Sequence, residues 1–220
     1  NGFVGNRILG VAARITDFMV EEGALPWQVD AAIYHFGFAM GPFAVNDLAG
    51  IDVRYLTRNE QKKLWPDRRH PVLLEKVYAL GRYGQKTGAG WYDYKAGDRK
   101  PYPNQQVNDM IVQHSKDLGI TRRKISDEEI VERLVFALVN EGAKILEEGI
   151  ASKASDIDMV YLTGYGFPLF RGGPMLYADQ VGLFNVAQSM ARYAKGYHGE
   201  AWQAAPLLLK LAGEGKGFNG

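Results

Sequence analysis

Residues 6–23 read NRILGVAARITDFMVEEG, and residues 132–149 read ERLVFALVNEGAKILEEG. In both stretches apolar residues recur every three or four positions, which predicts an amphipathic helix. Both end in Glu-Glu-Gly, and a glycine there can take the left-handed conformation that ends a helix. The second helix also has a start signal, because Ser126 and Glu129 have the capping-box spacing. Two long helices therefore organise the predicted fold.

Shorter matches follow both predicted helices in the same order, and they indicate an internal repeat. The matched pairs are Asp30 and Asp158, Gly37-Phe38 and Gly166-Phe167, Gly41-Pro42 and Gly173-Pro174, Asp47 and Asp179, and Gly50 and Gly182. We predict a first copy over residues 1–97, a linker with one amphipathic helix over residues 98–125, and a second copy over residues 126–220. Convincing strand alternation is absent, so the predicted fold class is all-α.

The fold accounts for most of the matched residues. Glycine permits tight turns and proline fixes φ, so the shared Gly-Pro pairs are typical of turns. The shared aspartates are candidates for helix caps. Beyond the turns, residues 43–56 and 175–193 each have the pattern of one further helix. In the linker, apolar residues and His114 fall on one face of a helix, and a packed core histidine is the favoured interpretation.

Composition excludes several function classes. Lys and Arg number 26 against 25 Asp and Glu, so the net charge of +1 does not favour nucleic acid or an anionic membrane as a partner. Without cysteine, the chain has no disulfides, thiolate nucleophile or cysteine zinc site. The other histidines, His35, His70 and His198, have the features of surface or turn residues. No histidine has a partner at metal-ligand spacing, and no metal site is predicted.

Asn6 is the position where the two copies differ in chemistry. Its counterpart in the second copy is Glu132, so the predicted fold accepts either residue. A neutral amide can both donate and accept hydrogen bonds. Taken alone, Asn6 has the features of a polar residue at a helix start.

Three motifs together resemble the 3-hydroxyacyl-CoA dehydrogenases, and they lie in that family's order and spacing. Residues 2–7 resemble its Gly-Phe-x-x-Asn-Arg signature, and residues 38–43 resemble its Met-Gly-Pro-Phe turn. Residues 84–92 resemble its Gly-x-Lys-Thr-Gly-x-Gly-[Phe/Trp]-Tyr element. The second copy, with residues 164–168 and 171–174, resembles the repeated helical domain of the multifunctional β-oxidation enzymes.

The resemblance implies two tandem copies of a helical domain of the 6-phosphogluconate dehydrogenase C-terminal type, packed as an internal pseudo-dimer and monomeric as a fragment. It implies NAD-dependent oxidation of an (S)-3-hydroxyacyl-CoA in fatty-acid β-oxidation. The Rossmann domain, with its cofactor loop and His–Glu base, is expected upstream, together with a hydratase domain in some members. We therefore expect an inactive fragment that binds no NAD itself. A cytoplasmic bacterial location is favoured over a peroxisomal one.

By the same resemblance, Asn6 is the expected catalytic residue on the substrate side. Phe38, Met40 and Pro42 are the expected lining for the acyl chain, although packing of a core turn explains these three equally well. No cofactor-binding residue is predicted. The alternative hypothesis is a non-catalytic helical assembly or binding module, in which Asn6 has no chemical role.

Overall fold

The structure is a computed structural model that describes residues 3–220, and Gly2 of the first motif lies outside them. Within this range the fold is all-α, as predicted, apart from one ribbon of two short strands. The strands β1 (Tyr92–Asp93) and β2 (Tyr102–Pro103) are antiparallel. The helices are α1 Val4–Glu22, α2 Pro26–Phe36, α3 Pro42–Ala49, α4 Ile51–Leu64, α5 Leu73–Ala79, α6 Gln105–Asp117, α7 Asp127–Glu147, α8 Ala154–Gly164, α9 Pro174–Val181, α10 Leu183–Tyr193 and α11 Pro206–Glu214.

The two long helices end at the predicted Glu-Glu-Gly sites, but their glycines act differently. Gly149 follows α7 with a φ of 66°, the left-handed conformation expected of a helix stop. Gly23 follows α1 with a φ of 159°. A side chain at Gly23 would lie 1.8 Å from the carbonyl oxygen of Arg123, so close approach of another segment requires this glycine.

The prediction of single helices over residues 43–56 and 175–193 was wrong. Each region forms two helices, α3 and α4 in one and α9 and α10 in the other. The breaks fall at Gly50, with φ 102° and ψ 123°, and at Gly182, with φ 89° and ψ 123°. Such dihedral angles are open to glycine and costly for other residues, which is why both helices break at the matched position.

Contacts divide the chain into two compact units, which are described separately. Of the described residues, the first unit contains 3–15, 35–39 and 128–220, and the second contains 16–34 and 40–127. These units group residues by contact, whereas the predicted copies rest on repetition, so the predicted domain boundaries stay a prediction.

The predicted linker contains the expected helix, α6, and it is well packed inside the second unit. Val107 and Ile111 are fully buried. His114 is also buried, with its Nε2 3.3 Å from Oε1 of Glu21 in α1, which confirms its interpretation as a core residue. Arg122 donates hydrogen bonds to the carbonyl oxygens of Val20, Gly23 and Ala24. These hydrogen bonds hold the segment that follows α6 against the C-terminal end of α1.

Candidate functional site

Asn6 lies in the first turn of α1, and its side chain is exposed to solvent. The hydroxyl of Tyr165 donates a hydrogen bond to Oδ1 of Asn6 over 3.0 Å. Within residues 3–220, no acceptor is recorded for the amide nitrogen Nδ2 of Asn6. The Asn6 side chain is therefore held at its oxygen and can donate to a ligand through its nitrogen.

Tyr165 follows α8 and is held over the start of α1 by packing on both sides. Its ring stacks on that of Tyr161, with centroids 5.0 Å apart and planes 20° from parallel. On the other side, a β-carbon at Gly5 would lie 2.2 Å from the Tyr165 ring. Glycine is costly inside a helix, and here it makes room for the ring that reaches Asn6.

Arg7 anchors the same turn of α1 within the first unit. Its Nε donates to Oε1 of Glu141 in α7, and its remaining nitrogens bind both carboxylate oxygens of Glu148. The hydrogen bonds to Glu148, followed by those to Glu141, hold the pKa of Arg7 above its ordinary value. This ion-pair network fixes the backbone next to Asn6.

Phe38 lies in an aromatic cluster of the first unit and is half-buried. Its ring centroid is 6.1 Å from that of Phe36 and 5.3 Å from that of Phe167. The guanidinium of Arg171 lies 3.9 Å from the centroid of Phe36, and its Nε donates to the Phe36 carbonyl oxygen. Phe38 and Asn6 thus share a unit and both contact the segment 165–167, without a recorded contact between them.

Met40 and Pro42 belong to the second unit, at the start of α3. The side chain of Met40 is 38% exposed, whereas Pro42 is half-buried at the first position of the helix. A β-carbon at Gly41 would lie 2.3 Å from Cβ of Asp30, so the turn packs tightly against α2. Packing accounts for Pro42, and the exposed thioether of Met40 leaves it accessible to a ligand.

The prediction that the shared aspartates cap helices was right for Asp30 and Asp158. The carboxylate of Asp30 accepts from the backbone N–H groups of Phe43 and Ala44, each over 2.9 Å, at the start of α3. Asp158 does the same for Met175 and Leu176 at the start of α9, over 2.7 and 3.1 Å. In each case one helix supplies the cap of the next.

For Asp47 and Asp179 the capping prediction was wrong, because both bind a loop rather than a helix start. Asp47 accepts from the backbone N–H groups of Trp91 and Tyr92 and from the hydroxyl of Tyr94. Asp179 accepts from the backbone N–H groups of residues 218 and 219. The sequence signal was present and missed, because Gly215-Lys216-Gly217-Phe218 repeats Gly88-Ala89-Gly90-Trp91.

Burial raises the pKa of these carboxyl groups. Desolvation raises the pKa of Asp30 to about 7, despite the hydrogen bonds from Phe43, Tyr92 and Ala44. It likewise raises the pKa of Asp47 and of Asp158 to about 6. Perturbed carboxyl groups can mark catalytic sites. Here each one binds backbone N–H groups, so a structural role explains it.

Of the histidines predicted to be surface or turn residues, His35 is exposed and His70 is half-exposed. His198 lies in a turn, as predicted, but its side chain is buried, at 1% exposed. The turn that follows it folds back on the end of α10, where a β-carbon at Gly199 would lie 2.0 Å from the carbonyl oxygen of Ala194. Among the described residues, no group of three or more His, Asp or Glu is arranged to hold a metal ion. No helix in the described range has the length and apolar character needed to cross a membrane.

The family model described as 3-hydroxyacyl-CoA dehydrogenase, C-terminal domain, matches residues 2–94 and 130–217. The peroxisomal bifunctional enzyme of Danio rerio is 43% identical, over 97% of this chain and 32% of that enzyme. The fatty acid oxidation complex subunit alpha of Acinetobacter baumannii (strain SDF) is 33% identical, over 100% of this chain and 31% of that protein. This chain spans about a third of the length of these relatives.

Solved structures show the same fold. The dehydrogenase part of multifunctional enzyme 1 from C. elegans superimposes with a TM-score of 0.72 at 28% identity, over 94% of this chain and 47% of that chain. The 3-hydroxybutyryl-CoA dehydrogenase from Escherichia coli K12 superimposes with a TM-score of 0.73, over 97% of this chain and 60% of that chain. At 20% identity, the second likeness concerns the fold alone.

Proposed function

Since this chain belongs to the 3-hydroxyacyl-CoA dehydrogenase family and matches its C-terminal domain, we propose that it forms the substrate side of an NAD-dependent (S)-3-hydroxyacyl-CoA dehydrogenase of fatty-acid β-oxidation. The observation that carries the proposal is the Asn6 side chain. It is exposed, held at its oxygen by Tyr165, and able to donate through its nitrogen. The second copy has Glu132 at this position, so the fold does not require an amide.

Asn6 acts on the oxygen of C3 in this proposal. Oxidation of the alcohol removes a hydride from C3 and the proton from its hydroxyl, so negative charge builds up on that oxygen. A fixed N–H donor stabilises this charge more strongly than it stabilises the neutral hydroxyl, which lowers the barrier. Loss of one such donor typically raises the barrier by about 3–4 kcal/mol.

Phe38, Met40 and Pro42 are proposed to line the acyl chain. Phe38 and Met40 both expose part of an apolar side chain. A thioether adapts its shape at little cost, which suits acyl chains of differing length. Pro42 contributes through the turn that it begins rather than through an exposed surface.

Residues 3–220 contain no loop of the kind that holds a dinucleotide cofactor. NAD binds at a glycine-rich loop between a parallel strand and a helix, and the described residues contain only one antiparallel ribbon. NAD, which takes up the hydride, and the base are therefore assigned to a Rossmann domain outside this chain. That domain is the proposed partner, together with a hydratase domain where one is present.

Two further features stay predictions. The internal pseudo-dimer is supported by the ion pairs of Arg7 in the first copy with Glu141 and Glu148 in the second. The relatives include enzymes named as peroxisomal and proteins from bacteria. The bacterial cytoplasm stays the predicted location.

The test is oxidation of NADH in the presence of acetoacetyl-CoA, measured for this chain alone and for this chain joined to a nucleotide-binding half of the family. We expect no turnover from the chain alone and turnover from the joined protein. Turnover by the chain alone would mean that the base and the cofactor site have been misplaced. A joined protein that binds NADH but never turns over would favour the alternative of a non-catalytic assembly module.

A further inference from the structure

The Asn6 amide can present either its oxygen or its nitrogen to a ligand. A half-turn about the last side-chain bond exchanges the two at almost no cost in shape. Only the nitrogen can stabilise a developing negative charge, and the amide oxygen would repel it. The role proposed for Asn6 therefore requires a contact that keeps the amide nitrogen, rather than the oxygen, facing the ligand.

Tyr165 makes such a contact. A phenol hydroxyl can donate one hydrogen bond and can also accept, and in this structure the hydroxyl of Tyr165 donates to Oδ1 of Asn6 over 3.0 Å. A donated hydrogen bond favours the amide oxygen at this position and directs the NH₂ group away from the tyrosine. It also polarises the amide, which strengthens the bonds that its N–H groups donate.

The hydroxyl is held in place by the packing of its ring. Tyr161, whose ring is 2% exposed, forms the floor on which Tyr165 stacks. Gly5 leaves the space above the ring, since a β-carbon there would lie 2.2 Å from Tyr165 Cε2 and 2.4 Å from its hydroxyl oxygen. The stacking on Tyr161 and the closest approach to Gly5 involve ring carbons, which a phenylalanine would keep while removing the hydrogen bond.

The pair combines Asn6 from the first copy with Tyr165 from the second. The matched residues with the copies exchanged cannot form the same hydrogen bond. Aligning Gly37-Phe38 with Gly166-Phe167 makes Phe36 the counterpart of Tyr165. Phe36 has no hydroxyl, and the counterpart of Asn6 is Glu132. Glu132 instead accepts hydrogen bonds from Arg192 and Tyr193 in its own copy. The repeat therefore accounts for neither member of the pair.

We propose that Tyr165 is a positioning residue for the dehydrogenase site, through which the second copy orients the Asn6 amide toward the substrate. The proposal rests on the function assigned to Asn6 above. It gives the second copy a chemical contribution to the site as well as a structural one.

The experiment compares Tyr165→Phe, Asn6→Ala and the double variant in the joined, active enzyme, with kcat and KM measured separately. We expect Tyr165→Phe to lower kcat about tenfold with little change in KM, because the hydrogen bond matters most when charge develops. In the Asn6→Ala background, Tyr165→Phe should cause no further loss, since the amide that it orients is gone. Tyr55→Phe is the matched control, since it removes a hydroxyl from another stacked tyrosine pair, Tyr55 with Tyr78 in the second unit, and should keep wild-type kcat.

Two further measurements separate positioning from a general effect on folding. Gly5→Ala keeps the hydroxyl but displaces the ring, so it should reproduce the loss in kcat caused by Tyr165→Phe. In the 220-residue chain itself, Tyr165→Phe should shift the side-chain ¹⁵NH₂ signals of Asn6 and leave the thermal unfolding midpoint nearly unchanged.

Different outcomes overturn different statements. Wild-type kcat in Tyr165→Phe, with Asn6→Ala strongly impaired, would overturn the role of Tyr165 and leave the proposed function intact. An equal loss from Tyr165→Phe in both backgrounds would show that the hydroxyl acts independently of Asn6, which also overturns the inference. Wild-type turnover in Asn6→Ala would overturn the role assigned to Asn6, and the inference with it.

Discussion

The two copies share their structural anchors and differ where the proposed chemistry lies. Asp30 and Asp158 each cap the next helix through two backbone N–H groups. Asn6 and Glu132 occupy matched positions in α1 and α7, yet one meets Tyr165 and the other meets Arg192 and Tyr193. The predicted repeat thus provides an internal control. The fold explains the residues that both predicted copies share, and the residues that differ between them are the candidates for function.

The matched aspartates Asp47 and Asp179, which each hold a loop, differ in how deeply they are buried. Asp47 is fully buried and binds Trp91, Tyr92 and the hydroxyl of Tyr94. Asp179 makes the matching contacts with a loop near the C-terminal end of the chain, but Asp179 itself is only half-buried. The same hydrogen bonds should therefore contribute more to stability in the first copy than in the second.

The largest expected effect is on kcat, when the matched residues Asn6 and Glu132 are each replaced by alanine. In the joined enzyme, Asn6→Ala should lower kcat by about 10²–10³-fold, as expected for the loss of one donor to a developing charge. Glu132→Ala should leave kcat unchanged, because the carboxylate of Glu132 binds Arg192 and Tyr193 within the second predicted copy. Steady-state kinetics of both variants provide the check, and equal losses would mean that this helix position matters for folding alone.

The next effect concerns the two loop anchors. Asp47→Ala leaves the buried N–H groups of Trp91 and Tyr92 without acceptors and should lower the free energy of unfolding by about 3–4 kcal/mol. For the half-buried Asp179, the same change should cost about 1 kcal/mol, because water can reach the freed N–H groups. Urea unfolding of both variants measures the difference, and equal costs would contradict the argument from burial.

The smallest effect concerns the pH dependence of the two caps. Carboxyl ¹³C signals should titrate near pH 7 for Asp30 and near pH 6 for Asp158, whereas the pKa of Asp52 beside Lys86 is lowered and serves as the control. In an unfolded chain the pKa of an aspartate is about 4. Each raised pKa therefore adds stability that is complete below about pH 4 and is lost as the pH rises through the folded-state value. Titration of Asp158 above Asp30 would refute the expected order.

Much of the fold was predictable because its signals are local. The apolar spacing of α1 and α7 and the Glu-Glu-Gly ends located both helices correctly. The breaks at Gly50 and Gly182 were missed because glycine is tolerated within many helices, and its backbone angles are set by the surrounding packing. The loop roles of Asp47 and Asp179 were missed because their partners are 44 and 39 residues away.

For the site, residues 2–7 were enough to single out Asn6 through the family motif, and its difference from Glu132 showed that the repeat did not require it. Tyr165 carried no such signal, because 159 residues separate it from Asn6. The glycine at position 5 likewise has no local explanation in a helix. Its reason becomes visible only when the Tyr165 ring lies against it.

Periodicity, caps and motifs act over a few residues, so the order of residues already specified the helices, the repeat and the family. The direction of the Asn6 amide, the buried state of His198 and the loops held by the paired aspartates depend on contacts between distant segments. Such contacts form only when burial of apolar surface brings those segments together. Tertiary packing therefore decided which polar groups serve the fold, and it left exposed the Asn6 amide that we propose as a donor to the substrate.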